Sequence, residues 1–179
     1  MPVFMEIKEI YTDVLKAPFG KLFISASASH LVSVSFSNQV PISPNQLTVE
    51  IKDQLNAYLN GELNVFDLPL KPKGTVFQKS VWNELSKIPF CISMRYFELA
   101  KRLGNEKVIR ASASANGKNP IPIIIPCHRV IGSDKSLTGF SGGIENKRWL
   151  LTHENILQPD LFSLKKLFAS PRFLNAQFG

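Results

Sequence analysis

The sequence predicts an α+β protein with two unequal parts, a small N-terminal α/β domain and a mostly helical C-terminal domain containing a helix-turn-helix. Three observations predict it. Residues before about 60 alternate apolar and serine side chains with a period of two. Residues after 75 carry capping signals and apolar stripes at helical spacing. Charge divides along the same line: residues 1–70 hold 4 basic and 7 acidic side chains, whereas residues 71–156 hold 14 and 6.

In chain order, Leu22, Ile24, Ala26 and Ala28 alternate with Ser25, Ser27 and Ser29, and Val32, Val34 and Phe36 alternate with Ser33, Ser35 and Ser37. Two such runs around Ser29-His30 predict a β-hairpin. After a loop with Pro41 and Pro44, Ile51, Leu55, Tyr58 and Leu59 mark an amphipathic helix that Gly61 stops. Phe66 to Gly74, with Pro69 and Pro72, reads as a linker. Thr75-x-x-Gln78 has the form of a capping box, in which each side chain bonds the other residue's backbone N–H. Phe77, Val81, Trp82, Leu85 and Ile88 form the apolar stripe of the helix behind it, which Pro89 ends. Tyr96–Leu103 is a second helix and Gly104-Asn105 a turn; a third helix runs from Glu106 to about Asn116, with Gly117 as its stop. Two short helices across a glycine turn make the helix-turn-helix pattern. A last helix spans Glu145 to about Ile156 with Trp149 and Leu150 inward, and residues 157–179 form a tail with Leu161, Leu164, Leu167 and Phe168 at helical spacing. The expected domains are therefore 1–70 and 71–156, followed by the extension 157–179.

The basic excess of residues 71–156 points to a polyanionic partner, with a solvated basic surface as the plainer reading. No apolar stretch reaches the ~20 residues of a membrane span, and no charged segment followed by an apolar run marks a signal peptide, so a cytoplasmic protein (nuclear in a eukaryote) is expected. Cys91 and Cys127 form no CxxC-type pair and the three histidines are scattered, so neither a metal nor a cofactor is expected. A reducing compartment fits best, because a disulfide would consume the candidate nucleophile. Cys91 itself reads as a small packing residue.

That nucleophile lies in Pro120-Ile121-Pro122-Ile123-Ile124-Ile125-Pro126-Cys127-His128-Arg129-Val130. The run predicts a buried strand-like segment that holds the Cys127 thiol beside His128 and Arg129, two groups able to favour thiolate, the reactive form. In the third helix, Arg110 precedes Ala111-Ser112-Ala113-Ser114-Ala115, none larger than a hydroxymethyl. So thin a face can enter the minor groove of a duplex, about 6 Å wide. A tight internal helix contact is the plainer alternative.

These residues resemble the methylated-DNA–protein-cysteine alkyltransferases, which repair O6-alkylguanine in DNA. The resemblance rests on Thr75-Val76-Phe77-Gln78, Val81-Trp82, Ile88-Pro89, Tyr96-x-x-Leu99-Ala100, Arg110-Ala111, Asn116-Gly117-x-Asn119-Pro120, Pro126-Cys127-His128-Arg129-Val130, Ser141-Gly142-Gly143 and Trp149-Leu150-Leu151-x-His153-Glu154. It covers roughly residues 62–156, and the first 60 fit only as the family's variable, ribonuclease-H-like domain. It implies a single-turnover transfer of an alkyl group from O6 of guanine, or O4 of thymine, to Cys127. It further implies a monomer on double-stranded DNA, minor-groove contact and a flipped guanine, without a cofactor. By position, Cys127, His128 and Glu154 match the relay, Tyr96 the proton donor and Asn119 the organiser of the cysteine's surroundings. Arg110 matches the finger that fills the gap in the stack; Ala111, Ala113, Ser114 and Asn116 would line the DNA face. Val130 and Ser141 would read the flipped base, with Pro122 walling its pocket. Cys91, Arg95, Asn116 and Phe140 depart from frequent choices in the family. A Cys127–histidine hydrolase and a catalytically silent minor-groove binder are the competing readings.

Overall fold

A computed structural model describes residues 9–37 and 41–158. Its N-terminal part is an antiparallel sheet of β1 (Tyr11–Ala17), β2 (Gly20–Ala26) and β3 (Leu31–Ser35), in that order. The expected hairpin is β2–β3, closed where Ser27 N–H donates to the His30 carbonyl at 2.9 Å. On β2 the alternation holds, with Leu22, Ile24 and Ala26 buried. A register shift at Ser25/Ala26 breaks it on β3, so Leu31 and Val34 are buried while Val32 is not. The strand β1 was not apparent in the sequence because Thr12 and Asp13 are both buried, which spoils the period of two. Asp13 is stabilised there by Lys52 at 3.0 Å.

Helix α1 (Gln46–Leu59) lies against the sheet. Asn45 and Thr48 cap it reciprocally, and Ile51, Leu55, Tyr58 and Leu59 form its buried stripe. The segment read as a linker is fastened down. Leu31 N–H donates to the Pro69 carbonyl and Lys71 N–H to the Leu31 carbonyl, so Leu70 bridges to the edge of β3. Apolar runs need burial more than free connection here, since Phe66, Leu68 and Leu70 all pack on the core.

In the C-terminal part, α2 (Val76–Ser86) starts on the Thr75–Gln78 capping box. Then come β4 (Met94–Arg95), α3 (Tyr96–Arg102), a 3-10 turn (Glu106–Val108) and α4 (Ile109–Gly117). The third helix thus begins with one 3-10 turn, where Asn105 Oδ1 accepts from Lys107 N–H. Gly117 is its last helical residue rather than a stop beyond it. Contacts of α4 with α2 and α3 complete the helix-turn-helix, and Trp82 Nε1 donates to the Ala115 carbonyl at 2.9 Å. The strand β5 (Val130–Ile131) pairs in parallel with β4, and α5 (Ile144–His153) follows. The tail expectation falls outside the described residues beyond 158.

The isoleucine run is buried, as expected, but it is a turn and not a strand. Pro122 bridges to Ile125, Ile125 N–H donates to the Ile121 carbonyl at 2.9 Å, and Ile123 has φ of 77°. That conformation costs a β-branched residue of order 1–3 kcal/mol and persists only where the surroundings fix it. Asn119 does so, with Oδ1 accepting from Ile121 N–H at 3.0 Å and Nδ2 donating to the Ile125 carbonyl at 2.8 Å.

Candidate active site

The braced turn delivers Cys127 to the start of a 3-10 turn, Cys127–Arg129, whose three residues are all buried. The thiol is 1% exposed. Burial pushes it up to about 11, against the opposing pull of the Asn119 side chain, the Lys147 charge and the Cys127 and His128 backbone N–H groups. At neutral pH the resting sulfur is therefore protonated and needs a base.

His128 is a suitable base. Burial holds its imidazole below the ordinary histidine range, so it rests neutral, although Glu154 pulls the other way. Its Nε2 meets Glu154 Oε1 at 2.9 Å; a carboxylate accepts, which assigns the proton to Nε2. The other nitrogen, Nδ1, is buried, carries the free lone pair and has no hydrogen-bond partner among the described residues. The next residue, Arg129, was expected to favour the thiolate. Instead its Nε and Nη2 each bond Glu154 at 2.8 Å and its Nη1 donates to the Ile88 carbonyl at 2.6 Å. A buried guanidinium needs its counter-ion, so its charge is spent on Glu154. Burial alone would raise the Glu154 carboxyl, but the hydrogen bonds from His128 and Arg129 hold it at about 2.

The cation that does act on Cys127 is Lys147, which sequence reasoning missed. Its side chain is fully buried on α5, and Nζ donates to the Val130 and Thr138 carbonyls, each at 2.6 Å. No carboxylate bonds it among the described residues. Burial lowers it to about 8, with the cysteine's charge as the opposing influence. A signal existed, because Lys147, Leu150, Leu151 and Glu154 share one helical stripe and all four are buried.

Tyr96 lies across the site. Its hydroxyl donates to the Thr138 carbonyl at 3.1 Å, and burial raises its pKa, so it stays a phenol and a donor. Gly139 has φ of 68°, and a Cβ there would collide with the Tyr96 hydroxyl, so glycine is required on both counts. Asn116 is placed otherwise than expected. It does not sit on the outer face of α4 but is fully buried, donating from Nδ2 to the Cys127 carbonyl, the Gly139 carbonyl and the Tyr96 oxygen at 3.3, 3.0 and 3.4 Å. The recognition helix is thereby tied to the reactive residue.

The outer face of α4 and its entry turn exposes Lys107, Arg110, Ala111, Ser114 and Lys118, with Ala113 half-buried. Small side chains in the middle and cations at both ends form a thin, positive ridge. Pro122 and Val130 are buried, whereas Ser141 is exposed. Cys91 departs from its expected packing role: it is exposed, with φ of 63°, and both cysteines are free thiols. Among the described residues no group of three His, Cys, Asp or Glu can hold a metal ion, and no helix is long and apolar enough to cross a membrane.

A buried cysteine, a histidine–glutamate pair and a helix-turn-helix with a cationic ridge are the features of a DNA-binding class of protein with a thiol in its core. The chain belongs to the 6-O-methylguanine DNA methyltransferase family: residues 76–156 match its DNA binding domain and residues 10–72 its ribonuclease-like domain. A methylated-DNA–protein-cysteine methyltransferase of Methanosarcina acetivorans is 41% identical over 153 residues, covering 81% of this chain and 98% of that protein. One of Mycobacterium tuberculosis is 50% identical over 158 residues, covering 84% and 95%. The solved structure of Mycobacterium tuberculosis OGT in complex with DNA superposes with a TM-score of 0.75 at 38% identity, covering 86% of this chain and 99% of that chain.

Proposed function

We propose that this protein repairs alkylated DNA by moving the alkyl group from O6 of guanine irreversibly onto Cys127. The observations that carry the reading are a fully buried cysteine and, one residue on, a buried His128 whose Nδ1 has no hydrogen-bond partner among the described residues and whose Nε2 is committed to Glu154.

The thiol proton passes to His128 Nδ1, through a water where direct contact fails, and Glu154 stabilises the imidazolium. The thiolate attacks the alkyl carbon from the side opposite oxygen. A carbon–sulfur bond forms as the carbon–O6 bond breaks, the electron pair leaves with the guanine, and the ring takes a proton or hydrogen bond from the Tyr96 hydroxyl. Asn119 fixes the turn that aims the sulfur. Lys147, not foreseen from sequence, supplies the positive charge that favours thiolate. The product is a thioether, which has no carbonyl for water to attack, so one protein molecule makes one transfer.

An alkyl carbon stacked inside a duplex is out of reach of a sulfur 1% exposed, so the lesion must be flipped out. In this reading Ala111, Ala113 and Ser114 rest in the minor groove and Arg110 enters the gap. Val130 and Ser141 read the base, and Pro122 closes the pocket. The protein acts as a monomer in the cytoplasm, and its division near residue 70 is supported by the two matched regions.

The test is intact-mass spectrometry after incubation with duplex DNA bearing O6-methylguanine. One methyl group gained per protein, with one guanine restored, is expected. Repeated turnover on an acyl substrate would favour the hydrolase, and DNA binding without any adduct the silent binder.

A further inference from the structure

The hydroxyl of Tyr58 donates to Glu154 Oε1 at 2.7 Å, and both side chains are fully buried. Tyr58 is the penultimate residue of α1, so this bond runs from the N-terminal part into the relay. The same oxygen takes His128 Nε2 and Arg129 Nη2. The ring alone fills the space between Phe66, Phe90 and His153, at centroid distances of 5.3, 6.3 and 5.2 Å, so packing has no need of the hydroxyl. His153 Nε2 also donates to the Tyr58 carbonyl at 2.8 Å. Side chain and backbone of one residue thus grip two consecutive residues at the end of α5.

We propose that Tyr58 is a positioning residue: its phenol fixes the Glu154 carboxylate and limits how strongly that carboxylate holds the His128 proton. The N-terminal domain is then part of the relay and not only its support. The inference rests on the relay described above, but its readout does not require alkyl transfer.

A donor on Oε1 withdraws charge from the acceptor that His128 shares. Removing it leaves a stronger acceptor, so the imidazole keeps its proton to higher pH. The other groups facing His128 are Arg129 and Lys147, whose charges oppose protonation, and the neighbouring Cys127; those facing Tyr58 are Glu154, Arg129 and His153. Removing the phenol oxygen takes a hydrogen bond from Glu154 alone and leaves the charges of the others as they are.

The experiment is nitrogen-15 NMR titration of the His128 ring in the full chain, comparing wild type with Tyr58→Phe. The midpoint is expected to rise by about half to one pH unit, and the acid limb of single-turnover repair to move with it. A second protein with 3,5-difluorotyrosine at position 58, a stronger donor of nearly the same shape, should move the midpoint the other way. It also keeps the test decisive if the phenylalanine variant fails to fold. An unchanged midpoint, with only a lower melting temperature, would overturn the proposal and leave Tyr58 a packing residue. A shifted midpoint in a protein that transfers no alkyl group would uphold this coupling while refuting the proposed function.

Discussion

Replacing Glu154 with glutamine removes one charge and keeps the shape. The carboxylate accepts four hydrogen bonds, from Tyr58 at 2.7 Å, His128 at 2.9 Å and Arg129 twice at 2.8 Å. An amide presents its NH2 to at least one of these donors. It also leaves the Arg129 guanidinium buried with no counter-ion, its bond to the Ile88 carbonyl notwithstanding. Breaking a buried pair by removing one member costs about 3–5 kcal/mol. For a protein of this size each kcal/mol is worth roughly 2–4 °C, so the melting temperature should fall by about 6–20 °C. Urea unfolding followed by fluorescence of Trp82 and Trp149 measures the loss directly. The pH dependence gives a second reading. The Glu154 pKa is depressed to about 2 in the folded state, so its stabilisation is fully present above the ordinary carboxylate range and lost as pH falls through about 2. Glu154→Gln should therefore be less stable at neutral pH, with the gap to wild type narrowing in acid. A loss under about 1 kcal/mol, constant with pH, would mean that this carboxylate is not the ion that holds Arg129 and His128.

Lys147 and Cys127 titrate against each other. Lysine lowered to about 8 makes folding more favourable as pH rises above that value, whereas cysteine raised to about 11 makes it less favourable from about 9 upward. Wild-type stability should be nearly flat between pH 9 and 10, whereas Lys147→Met should lose stability steadily there, and its thiol should react with iodoacetamide only at higher pH. Arg110→Ala should slow repair of duplex DNA roughly ten- to hundredfold, by forfeiting part of a few kcal/mol needed to hold a base unstacked. Reaction with free O6-benzylguanine should be almost unchanged, and equal losses on both substrates would remove the finger role. If Lys107 and Lys118 meet phosphates, the logarithm of the DNA affinity should fall against the logarithm of salt with a slope of about −2 from these contacts, and flat binding would place the DNA surface elsewhere.

Much of this was legible in the sequence because it was written in local chemistry. The Thr75–Gln78 box forms as its spacing requires, the helix order after it holds, and β2 shows its buried alternation. What was hidden depends on contacts distant in sequence. Tyr11–Ala17 pairs with β2 along its whole length although it buries Asp13, whose charge meets Lys52, 39 residues away. The isoleucine run turns because Asn119 braces it from within, which composition cannot express. Arg129 reads as an activator of its neighbour Cys127, yet Glu154, 25 residues on, claims its charge. Asn116 reads as a surface residue of a recognition helix but points inward, because its amide bonds three oxygens of the site. Lys147 is the clearest loss: lysine is so seldom buried that its place on the apolar stripe of α5 passes unnoticed until the carbonyls of Val130 and Thr138 are seen around it.

The central claim concerns which sulfur takes the alkyl group, the exposed one or the buried one. Peptide mass mapping after reaction with O6-methylguanine duplex, on the wild type, Cys91→Ser and Cys127→Ser, decides it. The account predicts a methyl group on the peptide containing Cys127 in the first two proteins and no repair in the third. Methylation at Cys91, or repair that survives in Cys127→Ser, would contradict it.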